Sequence, residues 1–439
     1  MSTIVAPLTP VQRSAAILLR VSGPDVKLLF SLFNTAPEPR VSTLCRYISK
    51  NCSVQDNVLV TYFKAPNSYT GEDVLEISFH GNPLIVRVAV ADMLAMGVRV
   101  AEAGEFTKRA YLNGKMTLSQ AEAVNTLIKA HTETGVSVAK NTLNGALDKI
   151  FYDIRNELVR KVAELDAVID FSEEAPEAAG NDLFKSVAAV SGKLKMLVDS
   201  YRSVQLAVNG VQVVIAGAPN VGKSTLFNTL VGRDRAIVSE EAGTTRDMLC
   251  EMISAHGINF ALADTAGIRQ SSSKAEQAGV QRTMETIDGA DLLLVLIDTT
   301  EAIAPETVQL LKNTEEKNRV VLGTKCDRET FFRGGVDFQP DILISATAGT
   351  NIDKLKDIIV SKVTELLPKE DSGAAILAER QLAECIECIK EISAISEEQT
   401  ADIQAYHLRL AVQALDRAQG ALIGEQVLDE IFSRFCIGK

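Results

Sequence analysis

At 439 residues the chain is long enough for two to four domains, and 46% hydrophobic against 23% charged residues excludes a disordered chain and predicts soluble, globular units with real cores. A formal net charge of −12 argues against loose, charge-driven nucleic-acid binding, but leaves room for a local basic patch or a specific RNA partner. No apolar run approaches membrane-spanning length, and no basic segment followed by an apolar core opens the chain, so neither a membrane span nor a secretory signal is expected.

In chain order, residues 1–114 mix short strands with one helix. Ala15–Val21, Val58–Phe63 and Val74–Phe79 are β-rich, Pro83–Met96 reads as a helix, and turn residues such as Ser22-Gly23-Pro24 separate them. This predicts an α+β domain. A helical region starts near Met116, with Thr117 and Gln120 spaced as a capping box. Leu143, Leu147, Ile150, Ile154, Leu158, Val162, Leu165 and Ile169 then recur at steps of three and four, as on one face of a long amphipathic helix. That helix stops in the acidic Glu173–Glu177, and another covers roughly Leu183–Leu206.

From about Val211 to Leu367, strand candidates alternate with helical segments. The strands are Val211–Ala216, Ile258–Ala263, Leu292–Ile297, Val320–Gly323 and Ile342–Ile344, and the alternation predicts a mainly parallel sheet wrapped by helices. Pro368–Gly373 reads as a linker, and helical patterning without strands returns from Ala374. The simplest organisation is a multidomain α/β plus α chain: residues 1–114 α+β, 115–206 helical, 207–368 an inserted nucleotide domain, and 369–439 the second part of the helical domain. The seven cysteines are scattered and odd in number, as in a reduced cytoplasmic protein, and Cys385-x-x-Cys388 stands alone inside a helical pattern, so no structural zinc site is expected.

The chemistry centres on Gly217-Ala-Pro-Asn-Val-Gly-Lys-Ser224, a phosphate loop with a buried strand before it and a helix from Thr225 after it. Its glycines let backbone N–H groups of residues such as Val221 and Gly222 face phosphate oxygens at a helix N-terminus. Lys223 would reach the β- and γ-phosphates and the Ser224 hydroxyl would ligate Mg²⁺. Asp264-Thr265-Ala266-Gly267 ends a strand, where Asp264 can act on Mg²⁺ through water and the Gly267 N–H can meet the γ-phosphate. Gly243–Asp247 occupies the place of a first switch, and Thr245 is the natural second Mg²⁺ ligand. In Thr324-Lys325-Cys326-Asp327 the Asp327 carboxylate would accept from guanine N1–H and the exocyclic amine, while the Lys325 stem packs on the ring. Ser345-Ala346 can offer a backbone N–H to guanine O6. The set selects GTP over ATP, because adenine lacks the matching donors. Thr324 stands where Asn is usual, which predicts somewhat weaker guanine binding.

Ile268 follows the Asp-x-x-Gly motif, where many GTPases carry a water-orienting Gln. Arg269, Gln270 and Glu276 are therefore candidates for that role. Asn220 offers a side-chain carbonyl that could help ligate a monovalent cation, with backbone carbonyls of the first switch; a loop hydrogen bond is its simpler role.

With these residues in view, the sequence resembles the MnmE (TrmE) family of tRNA-modification GTPases over essentially its whole length. The resemblance rests on Leu19-Arg-Val-Ser-Gly23, Asn67–Glu76, Gly104–Lys115, the nested GTPase domain and the terminal Phe435-Cys-Ile-Gly-Lys439. It implies a folate-binding-like N-terminal domain that mediates homodimerisation and GTPase domains that dimerise in the GTP state around K⁺. It implies a FAD-dependent flavoprotein partner, MnmG (GidA), in a heterotetramer. Together they would place a carboxymethylaminomethyl group at C5 of the wobble uridine of certain tRNAs, with 5-formyl- or methylene-tetrahydrofolate as the one-carbon source. Position by position, K⁺ falls to Asn220 and Thr244 with the carbonyls of Ser239 and Glu241, on the segment that includes Glu240 and Ala242, and Mg²⁺ falls to Ser224 and Thr245. Glu276 orients the attacking water, folate contacts map to Arg20, Glu76, Lys115 and Lys439, and Cys436 is the family's terminal cysteine. Thr9–Ser14 departs from the family's glycine- and arginine-rich turn. A reading of another class, a GTP-regulated RNA-binding or ribosome-assembly factor, would call for an appended, usually basic module, whereas the flanks here are helical and acidic.

Overall fold

The computed structural model describes residues 2–170, 179–234, 250–255, 258–264, 284–328, 339–368, 373–421 and 423–438. The chain divides into two units: one holds Met1–Ile128, Lys140–Val198 and Ile376–Lys439, the other Lys129–Ala139 and Asp199–Ala375.

The first unit contains a sheet of β1 (Ile4–Pro7), β2 (Ala16–Ser22), β3 (Ser42–Ile48), β4 (Gln55–Phe63), β5 (Val74–His80) and β6 (Arg99–Val100), in the order β3-β4-β5-β2-β1-β6. Only the β1–β6 pair is parallel. In β2, Ile17, Leu19 and Val21 are buried on one face, while Leu18 and Arg20 alternate onto the other. The first face packs against Val86, Ala89 and Met93 of α1 (Pro83–Ala95), which Asn82 caps by accepting from the Leu84 N–H. On another face, Ile4 and Ala6 of β1 pack with Phe106 of α2 (Glu105–Leu112). Strands β1, β3 and β6 go beyond the sequence expectation. In β3, Leu44 and Ile48 are exposed and only Cys45 and Tyr47 are buried, so the apolar pattern carries no clean alternation.

Helix α3 (Leu118–Lys129) follows a reciprocal capping box: the Thr117 N–H donates to Gln120 Oε1 at 2.9 Å, and the Gln120 N–H to Thr117 Oγ1 at 3.1 Å. The long amphipathic helix expected from Leu143 to Ile169 is present from Ala146 onward, while Leu143 itself ends a separate helix before it. Gly145 takes φ +86°, which a side chain resists, and the chain breaks there between α4 (Glu133–Leu143) and α5 (Ala146–Asp170). The buried stripe of α5 is Leu147, Phe151, Ile154, Leu158, Lys161 and Leu165. Lys161 lies in that stripe by pairing with Glu164 at 2.7 Å and with Asp182 of α6 (Ala179–Asn209).

The second unit has β7 (Val211–Gly217), β8 (Cys250–Ala255), β9 (Ile258–Asp264), β10 (Leu292–Asp298), β11 (Arg319–Thr324) and β12 (Ile342–Leu343), in the order β12-β11-β10-β7-β9-β8. Among the described residues all pairs of this sheet are parallel except β8 with β9, and β8 is the strand of this sheet that sequence patterning missed. Leu292–Ile297 are all buried, as a central parallel strand covered on both faces must be. One face is covered by α7 (Lys223–Asp234) and α9 (Ile352–Leu366), the other by α8 (Pro305–Asn313). The segment Lys129–Ala139 joins this unit: the His131 N–H donates to the Val208 carbonyl at 3.0 Å, and Asn259 Nδ2 to the His131 carbonyl at 2.8 Å.

The chain then returns to the first unit with α10 (Glu379–Ser393), α11 (Ala401–Gln419) and α12 (Glu425–Ser433). Arg380 of α10 pairs with Glu122 of α3 at 3.3 Å, and Arg155 of α5 with Asp416 of α11 at 2.5 Å. The fold is thus an N-terminal α+β domain, a helical domain drawn from both sides of an insertion, and an inserted P-loop domain with a mainly parallel sheet. Among the described residues no helix is long and apolar enough to cross a membrane.

Candidate nucleotide-binding site

Parallel strands place their carboxyl ends on one edge of the sheet, and there the loops that carry the sequence motifs meet. The phosphate loop leaves β7 at Gly217 and enters α7 at Lys223. Gly217 and Gly222 have φ +152° and +104°, and Asn220 takes φ +62°, a left-handed posture tolerated by asparagine. The Asn220 side chain is exposed. Lys223 Nζ donates to the Gly217 and Ala218 carbonyls at 3.0 and 2.8 Å, so its ammonium lies over the loop that phosphates would enter. Lys223, Ser224 and Thr225 open α7, and the positive end of a helix dipole favours an anion there.

The base-recognition candidates are tied to that loop. The Thr324 hydroxyl donates to the Val221 carbonyl at 2.8 Å, and Thr229 Oγ1 of α7 to the Ala346 carbonyl at 3.2 Å. Lys325 holds φ +60°, and the Cys326 N–H donates to the Ile344 carbonyl at 3.2 Å. Asp327 is exposed, and a hydrogen bond from Ser345 holds its carboxyl below the ordinary range. The Ser345 N–H is already used by the Thr350 carbonyl at 3.2 Å.

Sequence reasoning missed Asp298. It sits opposite Thr324 at the end of β10 and pairs with Lys325 Nζ at 2.5 Å. Only the register of two strands distant in sequence could have pointed to it. Asp264 ends β9 beside Ile215 of β7, next to the phosphate loop. Ser239–Thr245, Thr265–Gly267, Ile268–Gln270 and Glu276 lie outside the described residues.

In the first unit, Arg20 and Glu76 are cross-strand partners on β2 and β5. Arg20 Nε and Nη2 both donate to Glu76 Oε1, at 3.0 and 2.8 Å. Its guanidinium lies over the rings of Tyr69 (4.8 Å) and Phe106 (5.7 Å). Among the described residues, the buried Arg20 Nη1 has no hydrogen-bond partner. Lys115 Nζ donates to the Pro66 carbonyl at 3.0 Å, beside the turn that leads to β5. The C-terminal tail returns to this domain: the Gly104 N–H donates to the Cys436 carbonyl at 3.4 Å, and a Cβ on Gly438 would lie 2.3 Å from the Pro7 carbonyl oxygen. Cys436 is exposed, and Lys439 lies outside the described residues. Cys385 and Cys388 are fully buried in α10, where burial pushes both thiols up to about 12. Among the described residues no His/Cys/Asp/Glu cluster could hold a metal.

A doubly wound sheet with a phosphate loop, a strand-end Asp264 and a guanine-type motif on its carboxyl edge defines a P-loop GTPase domain. Residues 3–115 match the N-terminus of the GTP-binding protein TrmE, and residues 118–436 match the MnmE helical domain. The tRNA modification GTPase MnmE of Thermotoga petrophila is 36% identical over 453 residues, covering all of both chains. That of Aquifex aeolicus is 36% identical over 449 residues, 99% of each. Among solved structures, the G domain of the T. maritima FeoB iron transporter is 27% identical, over 36% of this chain and 98% of that one, with a TM-score of 0.26. The chain belongs to the MnmE (TrmE) family of tRNA-modification GTPases.

Proposed function

We propose that the chain is a cytoplasmic, K⁺-stimulated GTP hydrolase that works with a flavoprotein of the MnmG (GidA) type to install a carboxymethylaminomethyl group at C5 of the wobble uridine of certain tRNAs. The observation that carries the GTP half is the shared architecture of the phosphate loop and the Thr324–Asp327 loop, joined by the Thr324–Val221 hydrogen bond. Lys223 would leave the Gly217 and Ala218 carbonyls for the β- and γ-phosphates, and Ser224 with Thr245 would hold Mg²⁺. Mg²⁺ would supply charge neutralisation on the phosphates. Asp327 would select guanine. Because the Ser345 N–H is engaged, the contact to guanine O6 would fall to Ala346.

Ile268 cannot orient water, so Glu276 takes that role in this reading, and the positive charge comes from K⁺ held by Asn220, Thr244 and the carbonyls of Ser239 and Glu241. The exposed, left-handed Asn220 suits an outward-facing ligand better than a loop-internal bond. K⁺ would supply the compensating charge that an arginine finger gives elsewhere.

The N-terminal domain would bind a tetrahydrofolate derivative. Arg20 fits an anionic or carbonyl-bearing ligand: one nitrogen is buried and unpaired, and Glu76 fixes the others. Lys115 and Lys439 would complete the contacts, and Cys436 would stand by on the tail. Homodimerisation through this domain is supported by Leu44 and Leu59, cross-strand partners that are 70% and 49% exposed on edge strand β3 and its neighbour β4.

Nucleoside analysis of tRNA tests the modification role. Cells lacking the protein should lose the C5 substituent at the wobble uridine, and the full-length gene should restore it. Unchanged nucleosides alongside a defect in ribosome assembly would favour the GTP-regulated RNA-binding reading.

A further inference from the structure

We propose that Asp298 is a positioning residue for guanine recognition, holding the Lys325 side chain over the base face with the help of the two threonines that follow it. This rests on reading Thr324–Asp327 as the guanine loop. Asp298 closes β10 and stands in register with Thr324 of β11. Its Oδ2 accepts from Lys325 Nζ at 2.5 Å. Its Oδ1 accepts from the Thr300 N–H at 2.9 Å and from Thr300 Oγ1 at 2.6 Å, so the carboxylate is fixed before it meets the lysine. Burial pushes the Asp298 carboxyl up, but the hydrogen bonds from Lys325 and Thr300 outweigh it and keep the group ionised.

Thr299 braces the same turn from the other side. It is fully buried, and its Oγ1 and N–H both donate to the Thr324 carbonyl, at 2.7 and 3.2 Å. Lys325 needs such support. Its φ of +60° is costly for a residue with a Cβ, and a four-carbon stem left loose would have to be ordered by each nucleotide that binds. The Asp298–Thr300 turn supplies that order beforehand. Without the carboxylate, the ammonium has no fixed anchor and the stem leaves the ring face.

Titration of the full-length chain with a fluorescent N-methylanthraniloyl-GDP tests this through four proteins: native, Asp298→Asn, Lys325→Ala and the double variant. Asp298→Asn should weaken binding about tenfold, and in the Lys325→Ala background it should add less than about twofold, because it acts through the lysine. A silent Asp298→Asn, or losses that multiply in the double variant, would overturn the inference while leaving the guanine reading intact. A native chain that binds no GDP would overturn both. Should Asp298→Asn lose its folded thermal transition, Thr300→Val carries the test, since it removes one donor to the carboxylate. Its expected loss of about threefold should vanish in the Lys325→Ala background, and an unchanged affinity would overturn the inference.

Discussion

The Thr324 hydroxyl donates to the Val221 carbonyl at 2.8 Å, and this buried hydrogen bond joins the loop that reads the base to the loop that wraps the phosphates. A hydroxyl has one proton, and the Ile297 carbonyl at 3.2 Å competes for it. Thr324→Val keeps the shape and removes the donor. The cost of an unpaired buried carbonyl is about 1–3 kcal/mol, so GDP affinity should fall about tenfold. Thr324→Asn should match or exceed the native affinity. Calorimetric titration reads both, and an unchanged Thr324→Val would detach the two loops.

Arg20 presents a different test. Its buried Nη1 has no partner among the described residues and is free to meet a ligand. Arg20→Lys keeps the charge but loses the planar fork that Glu76 grips. Binding of 5-formyltetrahydrofolate to the full chain should weaken at least about tenfold, as for a lost charge-assisted pair. GDP affinity should not change. Equal folate binding by the variant would make the Arg20–Glu76 pair a purely structural one.

Glu105 sets an acid limit on the N-terminal domain. Burial pushes its carboxyl up, yet Arg99, the Glu102 N–H and Arg109 together bring it from 4.5 down to about 2. A depressed folded pKa gives stability that is present above 4.5 and lost as pH falls toward 2. Glu105→Gln should therefore cost on the order of 2 kcal/mol at pH 7. The gap to the native chain should close as the pH drops to about 2. Thermal melts followed by near-ultraviolet circular dichroism at a series of pH values check this, and a gap that persists at the lowest pH would contradict it.

Thiol labelling separates the cysteines. Cys52 and Cys436 are exposed and should react with a maleimide in the native chain. Cys385 and Cys388, buried with thiols pushed up to about 12, should react only after unfolding. Cys326, half-buried between Lys325 and Asp327, should be protected by GDP. Mass spectrometry of labelled peptides reads all five, and fast labelling of the Cys385–Cys388 pair would contradict its inert burial.

The parallel sheet was legible because its central strands are continuous apolar runs, Leu292–Ile297 above all. The Thr117–Gln120 box was legible for the same local reason. What escaped was non-local or compensated. Gly145 splits a pattern whose apolar spacing runs on undisturbed, Lys161 occupies a core position by pairing with Glu164 on its own helix and with the distant Asp182, and β3 carries its leucine and isoleucine outward. At the site, each loop residue of the motifs could be named from spacing. The Asp298 anchor could not, because it depends on strand register. Arg20 and Glu76 pair across β2 and β5, as a plain core-edge contact also would; the nitrogen beside the pair that has no partner among the described residues carries the functional reading.

In the proposed mechanism Asn220 holds the K⁺ that stands in for an arginine finger. GTP hydrolysis by the full-length chain, measured at equal ionic strength in KCl and in NaCl, tests it most directly when Asn220→Ala is run beside the native protein. The account predicts a rise of at least about tenfold in K⁺, a part of the roughly 10³–10⁵ an arginine finger supplies, and its loss in the variant. Equal rates in the two salts, or full stimulation without Asn220, would contradict it.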